Sequence, residues 1–276
     1  MLNLTVPPSF NLQGAKLSAI TQAIAYKGIW ERARQTTWPK ASISLERTRL
    51  ALKDANGNLD TDQMIWMGSQ SSDIQQKISQ YLFLAMHQTQ IIGSFWRNIP
   101  NFKERAVCRA CGDIDESMEH ILLECSAMEG PLIWNLVRSL WPTSWGDWPH
   151  LSIGTILGWG RYEPGPYPQG LIPPPPILVS ESAHLIWAFW CQRVIQGAEL
   201  MPTNVTKRWE NAINKRLMID RIIAARQRRK KGKDVPDSMQ KTWTGTLANE
   251  ADLPENWVTA LEVLVSISPP RVPQLG

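Results

Sequence analysis

Apolar residues recur at helical spacing along most of this chain. Leu17, Ile20 and Ile24 predict a helix over residues 15–35, stopped before Pro39. Residues 44–55 predict a second, closed by the Asn56-Gly57-Asn58 turn, and residues 63–67 one further turn. Ile74, Ile78, Leu82 and Met86 stand four apart, with Tyr81, Leu84 and Ala85 widening the stripe, so residues 73–87 read as an amphipathic helix. Apolar helices are predicted over residues 132–141 and 177–196. Trp209, Ile213 and Leu217 stripe a basic helix over 205–230, after an interruption at Pro202 and capped by Asn204 or Thr206. A short helix is expected over 257–265. Strand-like alternation is weak throughout, so the expected fold is mainly α: a helical bundle-like body.

The punctuation suggests domain organisation. Pro7, Pro8 and Gly14 mark residues 1–14 as a linker before a helical region, 15–145. Residues 146–176 are rich in Pro, Gly and Trp and end in Pro173-Pro174-Pro175-Pro176, a polyproline II spacer; they read as a second linker. A C-terminal helical region, 177–265, and a coil tail, 266–276, complete the chain.

Composition supports a packed body: 43% of the 276 residues are hydrophobic and 20% charged, enough to build a core. Tryptophan is over-used, 14 against 5 Phe and 4 Tyr. Trp134, Trp187 and Trp209 sit among apolar neighbours and read as core. Trp145, Trp148 and Trp159, in the Pro/Gly passage, suit either loop anchors or base-stacking platforms. His87 and His184 fall on helices as packing residues. The first residues show no signal-peptide pattern, and no run of about 18 apolar residues marks a membrane span. Four Cys do not make a disulfide scaffold, so an intracellular, reducing compartment is expected, nucleus or cytoplasm, with no membrane partner.

Three of those cysteines and one histidine concentrate the chemistry. Cys108, Cys111, His120 and Cys125 form the pattern C-x2-C-x8-H-x4-C, within a module of about residues 103–128. Three thiolates and one imidazole are a closed tetrahedral set for zinc, leaving no open position for catalysis. The x2 spacing lets two thiolates grip one ion from a tight turn, which Gly112 permits at positive φ. His120 and Cys125 are five apart and would point about 140° apart on an α-helix. The helix between them is therefore expected to tighten or end near Cys125. Cys191, on an apolar helix, reads as core.

The stretch Cys108-Arg-Ala-Cys-Gly, with Glu116-Ser-Met-Glu-His-Ile-Leu-Leu-Glu-Cys125 after it, resembles the reverse-transcriptase zinc-binding domain. That domain follows the ribonuclease H module in polyproteins of LINE-type, non-LTR retrotransposons. Phe10-Asn-Leu-Gln-Gly-Ala-Lys-Leu-Ser, Ala25-Tyr-Lys-Gly-Ile and Ser180-Glu-Ser-Ala-His-Leu-Ile-Trp extend the resemblance over about residues 9–265. The resemblance implies zinc at Cys108, Cys111, His120 and Cys125, and other modules of such a polyprotein as partners. Ala188, Phe189 and Trp190 depart from it, standing where related sequences tend to carry basic residues. The catalytic modules are missing. The first acidic residue is Glu31, the chain contains no Asp-Asp pair, and no nucleotide-binding, serine-hydrolase or zinc-protease motif occurs. Ribonuclease H or reverse-transcriptase activity, which belongs to such polyproteins, is not expected of this chain.

The net charge of +4 is unevenly placed. Residues 207–233 hold 11 Lys or Arg against Glu210 and Asp220. The candidate nucleic-acid contacts are Lys207, Arg208, Lys215, Arg216, Arg226, Arg228, Arg229, Lys230, Lys231 and Lys233, with Arg221 beside them. A nuclear-import signal and a merely solvated basic face remain open for the same residues. Residues 103–129 carry three cations, Lys103, Arg105 and Arg109, against seven carboxylates, so the finger reads as a structural staple rather than a phosphate clamp. Its Ile121 and Leu122 are expected to pack on Leu132, Ile133 and Leu136. The expected function is non-catalytic, sequence-independent binding of RNA or DNA; the alternative is an interaction or scaffold remnant with no nucleic-acid role.

Overall fold

A computed structural model describes residues 20–32, 38–113, 116–142, 145–162, 177–231, 237–254, 257–259 and 263–266. The expected linker at 1–14, the polyproline run and the tail beyond 266 lie outside the described residues. Among the described residues ten α-helices run in order: α1 (Gln22–Arg32), α2 (Pro39–Asn56), α3 (Asp62–Ser69), α4 (Gln76–Met86), α5 (Ser94–Arg97), α6 (Glu129–Ser139), α7 (Ile153–Leu157), α8 (Ile177–Gln196), α9 (Pro202–Lys231) and α10 (Asp237–Trp243). Among the described residues the only β pairing is a lone antiparallel bridge between Leu247 and Val265. The fold is mainly α, as the periodicity predicts.

The stripes choose the packing. On α2, Ala41, Leu45, Thr48 and Leu52 recur at three- and four-residue intervals and are all buried. They meet α7, and through it the Pro/Gly/Trp passage joins the core. Trp145 and Trp159 are each 1% exposed, and Trp159 stacks on Tyr162 at 4.3 Å. The Trp159–Arg161 turn rests on α3, held by Arg161 Nε to Asp60 Oδ2 at 2.9 Å. The predicted linker is therefore corrected: residues 145–162 are folded core, and 163–176 fall outside the described residues. Large rings anchor this passage without helical periodicity: Trp145, Trp148 and Trp159 pack edge-on against Trp141, whose Nε1 donates to Gly146 O at 3.0 Å.

α6 lies across both α8 and α9, burying Ile133, Leu136 and Val137. Val205, Trp209, Ile213 and Leu217 form the buried stripe of α9, and Trp209 Nε1 donates to Ser182 Oγ of α8 at 2.8 Å. One hydrophobic cluster runs from Leu45 to Val265. α8 matches its predicted span, whereas α9 begins three residues early. Pro202 does not interrupt it but occupies its first turn, where a missing N–H costs nothing, so neither Asn204 nor Thr206 is the cap. Of the helix expected over 257–265, the described residues hold a 3-10 turn, Trp257–Thr259, and Val265 pairs with Leu247; residues 260–262 lie outside the described residues.

Candidate metal centre

Two short pieces of backbone bring the four ligands together. Cys108 N–H donates to Asp113 O at 2.8 Å and Gly112 N–H to Cys108 O at 2.8 Å, closing the first turn. Gly112 has φ +80, the left-handed region the sequence predicts for it. The second piece ends at Cys125, one of the two expected outcomes, but by a route the spacing does not give. The helix carrying His120 neither tightens nor stays α-helical; it widens into a π-turn, His120–Glu124. Cys125 N–H donates to His120 O at 2.7 Å, five residues back. That wider turn brings residues i and i+5 onto one face, which explains how an x4 spacing serves one site. Cys125 itself is extended and ends the turn. Ser117 Oγ accepts from His120 N–H at 3.0 Å and steadies its start.

The ligand atoms converge. Cys108 Sγ and Cys125 Sγ are 3.6 Å apart, Cys111 Sγ and Cys125 Sγ 3.9 Å, and Cys111 Sγ and His120 Nε2 3.3 Å. All four lie within 4.8 Å of one another, and all are free of disulfides. Sulfur and nitrogen ligands bound tetrahedrally at zinc-like lengths stand about 3.8 Å (S to S) and about 3.5 Å (S to N) apart. The site is thus shaped for one metal ion. His120 supports the fit from its other side. It is buried, and its Nδ1 has no hydrogen bond but faces Asp113 Oδ2 at 3.4 Å. That carboxylate is placed to fix the tautomer presenting Nε2 to a metal. Burial pushes the Cys108 thiol up and the Cys125 thiol up to about 12, while the backbone N–H of Asp113 pulls Cys111 down. A cation among them would offset the cost of three thiolates.

The module is anchored on its surroundings. Glu116 is buried, which raises its pKa, and it accepts from Trp190 Nε1 of α8 at 2.8 Å. Glu129 pairs with Arg193 of α8 at 2.5 Å. Leu122 joins Ile133 and Leu136 in the main cluster, with Leu132 packed against it, as expected, whereas Ile121 is buried outside that cluster. Gly93 fixes the approach from the N-terminal side: its φ is +48 and a Cβ there would stand 1.8 Å from Glu116 O. Phe189 and Trp190 of α8 are both buried.

The basic helix is less free than its charge count implies. Lys207, Lys215 and Arg226 are exposed. Arg208 instead lies over the Phe189 ring at 4.3 Å and donates to Gln192 Oε1 at 2.6 Å. Arg216 is 6% exposed and bonds Asp220 at 2.9 Å; Arg221 donates to Val258 O at 3.1 Å. Arg216 is thereby corrected from a phosphate contact to an internal tie, and Arg208 and Arg221, half-buried, are each tied to a partner. Arg228, Arg229, Lys230 and Lys231 occupy the last turns of α9, but their side chains, and all of Lys233, lie outside the described residues. Sequence reasoning missed Asp113, Ser117 and Glu116 as supports. The i,i+4 pairing of Arg216 with Asp220 was the available signal for a tied arginine. No described helix is long and apolar enough to cross a membrane. Comparison with family models, curated proteins and solved structures gives no match.

Proposed function

We propose that this chain is a non-catalytic, zinc-stapled helical protein of retroelement descent that binds RNA or DNA without sequence preference. The ion is zinc, because three thiolates and an imidazole at tetrahedral spacing suit a borderline-soft d10 cation, and a closed set of four leaves no place for substrate. The staple reading rests on the convergence of Cys108, Cys111, His120 and Cys125. The nucleic-acid reading rests on Lys207, Lys215 and Arg226 facing solvent and on the run of cations that follows along α9. Changing Arg228, Arg229, Lys230 and Lys231 to Gln is expected to weaken binding of any nucleic acid. It should lower the slope of log K against log salt by about 0.7–0.9 for each phosphate no longer neutralised. Unchanged affinity and slope refute it. The scaffold alternative draws on Met218, Ile222 and Ile223, apolar yet about half exposed on α9. It takes over if the wild-type chain binds no nucleic acid at low salt.

A further inference from the structure

Counting charge over residues 103–129 overstates the acidity of the surface, although Glu104, Asp113 and Glu124 stay exposed. Glu116 and Glu129 are buried against Trp190 and Arg193. Glu119 pairs with Arg47 at 3.5 Å, and Asp113 faces His120 Nδ1 at 3.4 Å. The surface leading into the metal turn has the opposite sign. Along residues 94–111, Arg97, Lys103, Arg105 and Arg109 are exposed against a single exposed carboxylate, Glu104.

Aromatic rings are interleaved with those cations. Phe95 is 47% exposed and Phe102 39%. Trp96 packs edge-on to Phe95 at 5.3 Å and tilted to Phe102 at 5.9 Å. The Arg105 guanidinium lies over both neighbours, 5.1 Å from the Trp96 centroid and 4.7 Å from that of Phe102. The cluster is held in place: Trp96 Nε1 donates to Ile91 O at 3.2 Å, and α5 packs on the Lys103–Ala106 turn. Two large rings thus stand partly in water beside four exposed cations.

We infer that residues 94–109 form a second binding surface, for unpaired nucleic acid. Phe95 and Phe102 supply faces on which bases stack, and Arg97, Lys103, Arg105 and Arg109 hold the phosphates beside them. A ring can stack on a base only when that base has left its own helix, so the surface selects single strands over duplex. Its charge calls for a polyanion, and stacking needs a flat π-face; unpaired nucleic acid offers both. The surface is separate from α9 and depends on different residues.

The test uses the zinc-loaded full chain and labelled oligomers of about 12 nucleotides: oligo-U RNA, oligo-dT DNA, and a duplex of that length. Phe95→Ala with Phe102→Ala should weaken binding of both single strands about tenfold per ring and leave the duplex affinity unchanged. Phe95→Tyr with Phe102→Tyr should bind like wild type, because the π-faces remain. Zinc content of each variant reports an intact module. If the alanine pair loses zinc, Arg105→Gln with Arg109→Gln decides, and must lower single-strand affinity together with its salt slope. Equal binding of RNA and DNA supports stacking alone, and a preference for RNA supports stacking plus a 2′-hydroxyl contact. An alanine variant that keeps wild-type affinity for single strands overturns the inference. So does a wild-type chain that prefers duplex or binds no single strand. A dimer that the alanine pair abolishes assigns the patch to a second copy and also overturns it. Loss in the α9 variant alone refutes this surface and keeps the α9 reading; loss in the patch variants alone does the reverse.

Discussion

Glu181 gives a prediction whose size follows from the structure. It sits in the second turn of α8, 5% exposed, and its Oε1 has no hydrogen-bond partner. Burial lifts its pKa to about 7, against the pull of Lys77 and Arg216 and with a push from Asp220. The folded chain therefore keeps this proton until about pH 7, whereas the unfolded chain loses it at an ordinary glutamate's 4.5. Between those values the folded state binds more protons, so stability contributed at Glu181 falls as pH rises and is flat above the window. The full difference is about 3 kcal/mol at 1.36 kcal/mol per pKa unit. His184, one helical turn on, runs the other way. Burial lowers its pKa from 6.5 to about 4, so its contribution is lost as pH falls through that interval. The two opposing slopes flatten the wild-type profile between pH 4.5 and 6.5.

Glu181→Gln removes one slope and leaves the other. The variant should gain about 2–3 kcal/mol more over wild type at pH 8 than at pH 5, since Gln carries no charge to bury. Urea unfolding followed by circular dichroism, both proteins zinc-loaded and at one ionic strength, measures this. Comparing the two at each pH cancels the metal's own pH dependence. A difference that is the same at pH 5 and pH 8 refutes the argument, because it would place Glu181 in water or with a partner.

Two further outcomes are expected. Purified protein should hold one zinc per chain, and Cys111→Ala or a strong chelator should lose it and unprotect amides across residues 103–140 in hydrogen exchange, since binding energy at such a site is folding energy; well under one zinc with all thiols reactive in the native chain sinks this. Gly112→Ala should retain zinc but lower stability by about 1 kcal/mol, because φ +80 is strained for a side chain although nothing stands within 4 Å of the new Cβ; unchanged denaturation midpoints refute it.

Periodicity made the long elements legible. The buried stripes of α2, α4 and α9 are strict three- and four-residue repeats, and α8 was bounded by the proline run before it. Periodicity failed where rings replace helical repeats. In residues 145–162 a five-residue helix and a 3-10 turn are secured by Trp145, Trp148 and Trp159, whose centroids lie 5.1–6.2 Å from that of Trp141. Pro and Gly punctuation reads as linker whether the segment is loose or pinned, and only the packing partners distinguish the two.

The metal ligands were legible because thiolates and imidazole in that spacing have few other uses, yet the π-turn that joins His120 to Cys125 was not. An x4 spacing states that the backbone must deviate from α-helix, without stating whether it tightens or widens; the bond from Cys125 N–H to His120 O decides for widening. Charge was the least legible property. A sequence gives the sign of each residue but not which way it faces, and here facing weakens both regional sums. α9 spends Arg208, Arg216 and Arg221 on internal partners, while the finger hides Glu116 and Glu129 and leaves Arg105 and Arg109 in water. Phosphate affinity scales with cations that release counterions at the surface, not with cations in the chain. The affinity expected of α9 therefore shrinks toward its last turns, and the stretch before the metal turn, acidic by count in its neighbourhood, becomes a basic and aromatic face.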